Sequence, residues 1–251
     1  MMDATEYHEA LAQLAWQVEL GVDECIGEAP SNRYDETAKP KVKVEKVAAP
    51  EVVVEQTHPA EACNDLESLR LAIESFDGCA LKNGARNTVF CDGNPAARVM
   101  IIGEAPGRDE DQLGKPFVGR SGQLLDKMFA AIGLSRMTEE AHEAIYITNL
   151  LPWRPPQNRD PSAEEIVMMK PFLIKHISLI KPDYLVLVGG SSTKTLLDTT
   201  VGITRMRGNW AEVNGIPAMP IFHPAALLRD SLKKRPTWAD LLALKARLND
   251  G

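Results

Sequence analysis

Short runs of β-branched and aliphatic residues alternate with helical patterns after residue 97, and this alternation limits the fold more than any other feature. Four runs predict strands: Arg98–Ile102, Ile145–Thr148, Tyr184–Val188 and Ala218–Phe222. Apolar residues at helical spacing predict helices over Gly122–Ile132, Ala163–Ile180, Ser192–Leu197 and Thr237–Leu248. Such alternation is typical of an α/β fold. We therefore expect a three-layer α/β/α arrangement with a central four-stranded, mainly parallel sheet.

The first 63 residues differ from the rest in composition and pattern. Apolar residues at helical spacing between residues 3 and 26 predict an amphipathic helix, so we assign 1–28 to an N-terminal helical extension. Residues 29–63 are acidic and rich in Pro, which is typical of a flexible linker. Order is expected to resume near residue 64, and the folded domain is predicted to cover 64–251.

The negative charge of the chain is concentrated in its N-terminal part. The net charge of −7 argues at first sight against a nucleic-acid partner. Residues 1–91 carry 8 Lys and Arg against 17 Asp and Glu, a net charge of −9. Residues 92–251 carry 20 against 18, a net charge of +2. The predicted α/β region is therefore close to neutral, and basic patches on it can meet phosphates.

The composition is that of a globular protein outside the membrane. No apolar run approaches the roughly 18 residues of a membrane span, and the N-terminus lacks the pattern of a secretory signal. We expect a cytoplasmic monomer with no membrane partner. The cysteines form no CxxC pair and no zinc-type pattern with His, so we expect free thiols and no metal site. They are Cys25, Cys63, Cys79 and Cys91.

The stretch GEAPGRDEDQLGKPFVGRSGQLLD, residues 103–126, follows the first predicted strand. Ligands bind at the carboxyl edge of a parallel sheet, so this loop lies at a candidate site. It matches neither GxxxxGK[ST] nor GxGxxG, and its crowded carboxylates repel phosphate. Two interpretations stay open for the loop alone: a solvated acidic segment, or carboxylates that take part in catalysis. At its end, Ser121 is predicted to cap a helix whose N-terminus, with Arg120, holds a DNA phosphate.

The other three predicted strands end in polar or small residues at the same edge. Asn149 is commonly a turn residue in such a place, but its amide also suits the edge of a nucleobase. Gly189-Gly190-Ser191 is a small-residue turn into a helix and a second candidate phosphate contact. A lone residue such as His223 is more often structural than catalytic. Here two leucines follow it closely, and exposed leucines on a loop tip favour a wedge between base steps.

Together these motifs are highly specific. GEAPGRDED with GKPFVGRSGQLLD, then TNLLPWRPPQNR, then HPAALLR, closely resemble the uracil-DNA glycosylase superfamily, and its family 4 most of all. The resemblance runs from about residue 70 to residue 248 and implies a uracil-DNA glycosylase-like catalytic domain over 64–251. It implies a monofunctional enzyme of base excision repair. Such an enzyme flips uracil out of DNA and hydrolyses the N-glycosidic bond to leave an abasic site.

The resemblance also implies three catalytic residues. Glu104 and Glu110 match the acidic residues of the first motif. Other branches of the superfamily place an Asp where this chain has Ala105, so water activation falls elsewhere, and Glu104 is favoured over Glu110. His223 matches the histidine near uracil O2, where a donor stabilises the leaving anion.

Base and DNA contacts follow from the same resemblance. Phe117 matches the aromatic residue that stacks on the flipped uracil, and Asn149 matches the residue that reads its polar edge. Gly103 and Ala105 complete the expected base-binding residues. Leu227 matches the leucine of the intercalation loop. The residues expected to contact DNA are Arg120, Ser121, Gly122, Ser191, Leu227 and Arg229.

The chain departs from family 4 at the positions of the iron–sulfur ligands. Members of that family typically hold a [4Fe–4S] cluster on four cysteines, and the matching positions here are Phe76, Cys79, Trp153 and Met169. Clusters of this kind need about four thiolates, so one cannot hold it. We therefore expect a protein without a cofactor, in which the large apolar replacements fill the vacated volume.

Two other functions stay open. One is a catalytically weak or inactive module that binds uracil-DNA or damaged DNA. The other is a metal-dependent nucleotide hydrolase that uses Asp109, Glu110 and Asp111. Excision of other deaminated bases, the preference for single- or double-stranded DNA, and a protein partner for the N-terminal extension are also open.

Overall fold

The computed structural model of the chain describes residues 58–250. The predicted N-terminal helical extension, 1–28, and most of the predicted linker, 29–63, lie outside these residues. A 3₁₀ turn, Pro59–Ala62, opens the described part, and both Ala60 and Cys63 are buried. The last residues of the predicted linker therefore pack into the core, because they are apolar enough to be covered there.

Six strands in the described part of the chain form one mixed sheet. They are β1 (Asp92–Gly93), β2 (Val99–Gly103), β3 (Ile145–Asn149), β4 (Tyr184–Val188), β5 (Ala211–Val213) and β6 (Ile216–Ile221). Their order across the sheet is β1-β3-β2-β4-β6-β5. The four central strands are parallel, which confirms the predicted core of the sheet. The short strands β1 and β5 add an antiparallel edge on each side.

The edge strand β5 corrects the predicted strand count, and its turn carries a clear sequence signal. Val213 pairs with Ile216 across a two-residue turn, Asn214-Gly215. Both turn residues have a positive φ, 50° at Asn214 and 82° at Gly215. Asn-Gly is the strongest short hairpin signal because both residues tolerate this conformation. A strand of three residues lacks the apolar alternation that reveals longer strands.

Eight α-helices accompany the sheet within the described residues. They are α1 (Leu66–Ser75), α2 (Arg108–Leu113), α3 (Arg120–Ala130), α4 (Ala163–Ile180), α5 (Gly190–Leu196), α6 (Ile203–Met206), α7 (Pro224–Arg229) and α8 (Lys234–Asp250). None of them is long and apolar enough to cross a membrane. The six-residue helices α2 and α7 lie in segments that the sequence analysis treated as loops, so that interpretation was wrong there. Both are too short to show an apolar period.

The sheet is covered on both faces. Along β2, Met100 and Ile102 belong to one apolar cluster, with α1 and α4, whereas Val99 and Ile101 belong to another, with α3 and α8. All four side chains are fully buried. Alternation of this kind places helices on each face of a parallel sheet, which confirms the three-layer α/β/α prediction.

Candidate active site

A cleft of about 490 Å³ is lined by the loops that follow β2, β3, β4 and β6. These are the four loops that the sequence predicts at the binding edge, and the sheet brings them together there. Of the predicted site residues, the cleft is lined by Glu104, Ala105, Glu110, Phe117, Ser121, Asn149, His223 and Arg229. The predicted site residues outside its lining are Gly103, Arg120, Gly122, Ser191 and Leu227.

The floor of the cleft depends on a residue without a side chain. Gly103 ends β2 and pairs in register with Asn149 at the end of β3. A Cβ at Gly103 would overlap the Asn149 Oδ1 atom and the Phe117 ring, so glycine lets these two groups meet. Within residues 58–250 the Asn149 side-chain amide makes no hydrogen bond, although the residue is only 7% exposed. Its donor and acceptor groups are therefore left for a ligand in the cleft.

Phe117 is held in a conformation that a residue with a side chain rarely adopts. Its φ is +53°, in the left-handed region, which costs roughly 1–2 kcal/mol for an L-residue. Its ring centroid lies 5.6 Å from that of His223, with 29° between the ring planes. Gly122 lies so close to the Phe117 carbonyl that a Cβ at Gly122 would overlap it. Such strain persists only where the surroundings determine the backbone, and it is common at functional sites.

The Glu110 carboxylate accepts hydrogen bonds from the backbone of its own loop. Its Oε2 accepts the Gly107 N–H over 3.1 Å. Its Oε1 accepts the N–H groups of Val118 and Gly119 over 3.0 and 2.9 Å. Three backbone donors on one carboxylate join the start of α2 to the start of α3. Glu110 therefore acts as a structural tie in this loop.

Glu104 differs from Glu110, since no backbone N–H of the described residues donates to its carboxylate. It is half-buried in the cleft lining, and its carboxylate makes no hydrogen bond within the described part of the chain, residues 58–250. Burial raises the pKa of Glu104, and the nearby Asp160 carboxylate raises it further. A carboxylate of raised pKa without a protein partner is the kind that accepts a proton from a bound water.

The two other acids of the loop have separate surroundings. Asp111 is buried, and its Oδ1 accepts the Arg86 N–H over 2.8 Å. The Asn87 side chain donates back to the Asp111 carbonyl over 2.8 Å. Asp109 is exposed. Asp111 is therefore bound into the structure and Asp109 faces solvent, and their arrangement gives no support to a shared metal site with Glu110.

His223 is neutral and has a defined tautomer. It caps α7, and its Nδ1 accepts the Ala225 N–H over 3.1 Å. Burial, more than the Arg229 guanidinium, lowers the pKa of His223 to about 4, although Glu110 acts in the opposite direction. A neutral imidazole that accepts at Nδ1 carries its proton on Nε2. His223 therefore offers one N–H donor while it remains uncharged at pH 7.

The helix start after the acidic loop differs from the prediction in its cap. Gly119 is the N-cap of α3, and the helix begins at Arg120. Ser121 therefore stands in the first turn, where it lines the cleft instead of capping the helix. Gly122 is buried and is required for the close approach of the Phe117 carbonyl. Ser191 lies in the first turn of α5. It follows Gly189 and Gly190 in sequence, and these two glycines line the cleft.

In the last motif, the exposed leucine is not the one predicted from the sequence. Leu227, predicted as the intercalating residue, is only 2% exposed and lines an apolar groove with Leu124 and Trp238. Leu228, the next residue, is 45% exposed. Both lie on α7, which turns successive side chains by about 100°. A helix in this segment therefore buries one leucine and presents the other.

One wall of the cleft was not predicted from the sequence. Pro155, Asn158 and Arg159 line it, in the segment that follows Trp153. Arg159 donates from Nη1 to the Glu165 Oε2 over 2.9 Å, and both groups form an ion pair. Asn158 has a φ of +54°. The sequence PPQNR does contain the turn residues Pro and Asn, which predict a bend but not the direction in which it faces.

The positions that hold the cluster in family 4 form an apolar region here. Cys79, Trp153 and Met169 are each 1% exposed and belong to one hydrophobic cluster. Phe76 packs against it, with its ring centroid 5.3 Å from that of Phe172. Burial raises the pKa of the Cys79 thiol, which disfavours the thiolate. Three apolar side chains and one thiol do not fit a [4Fe–4S] cluster, which is held by thiolates.

Comparisons with known proteins agree with this geometry. The sequence profile of the uracil DNA glycosylase superfamily matches residues 90–242. A type-4 uracil-DNA glycosylase from Thermotoga maritima is 36% identical over 167 residues, 66% of this chain and 84% of the relative. One from Archaeoglobus fulgidus is 38% identical over 172 residues, 65% and 83% of the two chains. One from Saccharolobus solfataricus is 35% identical over 195 residues, 74% and 88%. Because the profile covers most of the chain and all four loops of the cleft, the chain belongs to the uracil-DNA glycosylase superfamily.

Proposed function

We propose that this protein excises uracil from DNA by hydrolysing the N-glycosidic bond and leaves an abasic site. The observation that carries the proposal is the meeting of three unlike groups in one cleft: the Glu104 carboxylate, the Asn149 amide and the neutral His223 imidazole. Relatives 35–38% identical are type-4 uracil-DNA glycosylases. The same chemistry supports a role in DNA repair, since uracil in DNA is a damaged base.

Binding begins with a base that has left the duplex. Extrusion of a nucleotide costs a few kcal/mol because stacking and pairing are lost. Stacking on the Phe117 ring returns roughly 1–3 kcal/mol of this. The Asn149 amide, which makes no hydrogen bond within residues 58–250, can donate to O4 and accept from N3–H of uracil. Cytosine has an amino group in place of O4 and lacks a hydrogen on N3, so it presents the opposite pattern.

The leaving group is stabilised by His223. As the N-glycosidic bond breaks, the bonding electrons move onto uracil, and negative charge grows on its O2 and N1. The Nε2–H of His223 can donate to O2, in the manner of an oxyanion hole. A neutral donor suits this task because it is present throughout the neutral pH range, with a pKa of about 4.

Glu104 acts on the sugar and on the attacking water. Positive charge grows on the sugar as the base leaves, and an ionised carboxylate nearby stabilises it. The same carboxylate can orient a water and take its proton as the oxygen bonds to the anomeric carbon. Glu110 contributes indirectly, since its three backbone hydrogen bonds hold the loop that carries Phe117.

The phosphates and the neighbouring bases are expected to meet the rim of the cleft. Arg229 lines the cleft and, like Arg120, is exposed, and Ser121, Gly122 and Ser191 stand in the first turns of α3 and α5. Backbone amides in the first turn of a helix favour phosphate. We assign the wedge to the exposed Leu228 in place of the buried Leu227.

We also propose that the protein works without an iron–sulfur cluster. The apolar packing around Trp153 and Met169 supports this, because the vacated volume is filled by side chains. The reaction as described needs an acid–base carboxylate and a hydrogen-bond donor, and both come from the chain itself.

Replacing each of the two glutamates, Glu104 and Glu110, should show that one acts in catalysis and the other in stability. Glu104→Gln is expected to lower the rate of uracil release by about 10²–10⁴-fold with an unchanged Tm, because the base is lost and no protein contact is broken. Glu110→Gln is expected to lower the free energy of unfolding by roughly 1–3 kcal/mol, since an amide nitrogen cannot accept a backbone N–H. Release is measured on a single-uracil oligonucleotide followed by alkali, with exposed Asp109→Asn as the control. Intact strands after incubation with wild type would refute the proposed function, and full activity of Glu104→Gln would refute its role alone.

The pH profile should report Glu104. A raised pKa means that Glu104 takes up a proton at a higher pH than an ordinary Glu, so activity is expected to fall as the pH drops through that value. Asp160→Asn removes one of the two causes, so the acidic limb should move to lower pH. Glu164→Gln, which changes an exposed carboxylate on α4, is the matched control. Identical profiles for wild type and Asp160→Asn would argue that another group controls the limb.

The wedge assignment predicts opposite effects for neighbouring leucines. Leu228→Ala should lower activity on double-stranded uracil-DNA more than on single-stranded DNA and leave the Tm unchanged, because an exposed side chain is removed. Leu227→Ala should cost roughly 2–5 kcal/mol of stability, as expected for a buried leucine. Kinetics on both substrates and thermal unfolding distinguish the two. The assignment fails if Leu228→Ala is indistinguishable from wild type on duplex DNA.

The cluster-free proposal predicts a colourless, active preparation. Protein purified without exposure to oxygen should contain no stoichiometric iron or sulfide and should lack the visible absorption of a [4Fe–4S] cluster, because three of four ligand positions are apolar. Trp153→Ala should then destabilise the fold by about 3–5 kcal/mol, since it empties a packed volume. Stoichiometric iron and sulfide in the active protein would overturn the proposal.

A further inference from the structure

Arg136 lies outside the four motifs, yet its side chain reaches the loop that carries Phe117. The guanidinium is buried, with 7% of the side chain exposed. Its Nη1 donates to the Pro116 carbonyl over 2.9 Å, and its Nη2 donates to the Phe117 carbonyl over 3.0 Å. Asp92 and Asp126 hold the guanidinium from the other side, at 3.1 Å from Nη1 and 2.8 Å from Nε. One side chain thus ties two consecutive carbonyls of the site loop to two carboxylates.

The peptide between Phe117 and Val118 is held at both of its polar groups. Its carbonyl accepts from Arg136, and its N–H donates to the Glu110 carboxylate over 3.0 Å. Gly122 adds a steric limit, because a Cβ there would overlap the same carbonyl. These three constraints keep Phe117 in its left-handed conformation, with a φ of +53°, before any base has bound.

We infer that Arg136 is a positioning residue that presets the Phe117 ring for stacking on the extruded base. The inference rests on the proposed function, in which this ring contacts uracil. A guanidinium is required because its planar fork donates to two neighbouring carbonyls while it also pairs with two carboxylates. Lysine keeps the charge but has a single point of donation, so it cannot hold both carbonyls in the same geometry.

A control variant at Asp126 distinguishes a positioning role of Arg136 from a contribution to stability alone. Its side chain is 46% exposed, and it pairs with Arg136 without touching the carbonyls of the loop. Asp126→Asn therefore weakens the ion pair and leaves the two carbonyl contacts in place. A role limited to the ion pair would make this variant behave like Arg136→Lys.

The test measures how well the folded enzyme holds the base. Inhibition of base release by free uracil is measured for wild type, Arg136→Lys and Asp126→Asn, together with affinity for undamaged DNA. All are compared at a temperature where their circular dichroism spectra agree, and Arg136→Gln replaces Arg136→Lys if the latter is unfolded there. We expect the uracil inhibition constant to rise about 5- to 50-fold in the Arg136 variant, the scale of a stacking contact. Asp126→Asn should stay within about twofold, and affinity for undamaged DNA should not change.

The outcomes separate this inference from the function on which it rests. Wild type that releases no uracil would refute the function itself. Active wild type with an unchanged inhibition constant in the Arg136 variant would refute the positioning role alone. Equal rises in the Arg136 and Asp126 variants would also refute it, because they would assign the effect to the ion pair.

Discussion

The position of β2 between β3 and β4 decides where the site can form. The chain leaves β2 through α3 on one face of the sheet, and after β3 it crosses through α4 on the other face to reach β4. The connections on the two sides of β2 therefore diverge, which opens a crevice at the carboxyl edge. The parallel register then sets Gly103 beside Asn149 at this edge. Because position 103 has no side chain, the amide of Asn149 and the ring of Phe117 can share the floor of the cleft.

Surroundings give the acids of one short loop different properties. Glu110 accepts three backbone N–H groups, and Asp111 is buried against the backbone of Arg86, so both are bound into the structure. Glu104 has no such contacts within residues 58–250, and burial with the neighbouring Asp160 raises its pKa. Two carboxylates of the same type, six positions apart, thus differ in what they can do. The Glu104 carboxylate is free to meet a ligand in the cleft, whereas the Glu110 carboxylate is occupied by the backbone of its loop.

The sequence predicted the parts of this fold that depend on local pattern. The helix Ala163–Ile180 and the strand Tyr184–Val188 agree with the structure at both ends, since long apolar periods and β-branched runs are strong signals. The motifs also led to the cleft residues. Other features depend on tertiary contacts that no local pattern encodes. The burial of Leu227 with the exposure of Leu228 follows from the direction in which α7 packs, and the role of Arg136 follows from a fold that brings it back to residue 117.

The apolar region at the positions that match the cluster ligands of family 4 has consequences for the cleft, because the segment after Trp153 forms one of its walls. The Trp153 indole donates to the Thr88 hydroxyl over 3.1 Å, and the Pro152 carbonyl accepts the Val89 N–H over 2.8 Å, so two hydrogen bonds tie this segment to the one before β1. A metal cluster would fix such a wall through bonds to thiolates and would make it sensitive to iron supply and oxidation. Packing of large apolar side chains fixes it through buried surface and shape, so the wall is sensitive to side-chain volume instead. The proposed roles of Glu104 and His223 do not depend on this wall, since the two residues belong to other loops of the sheet.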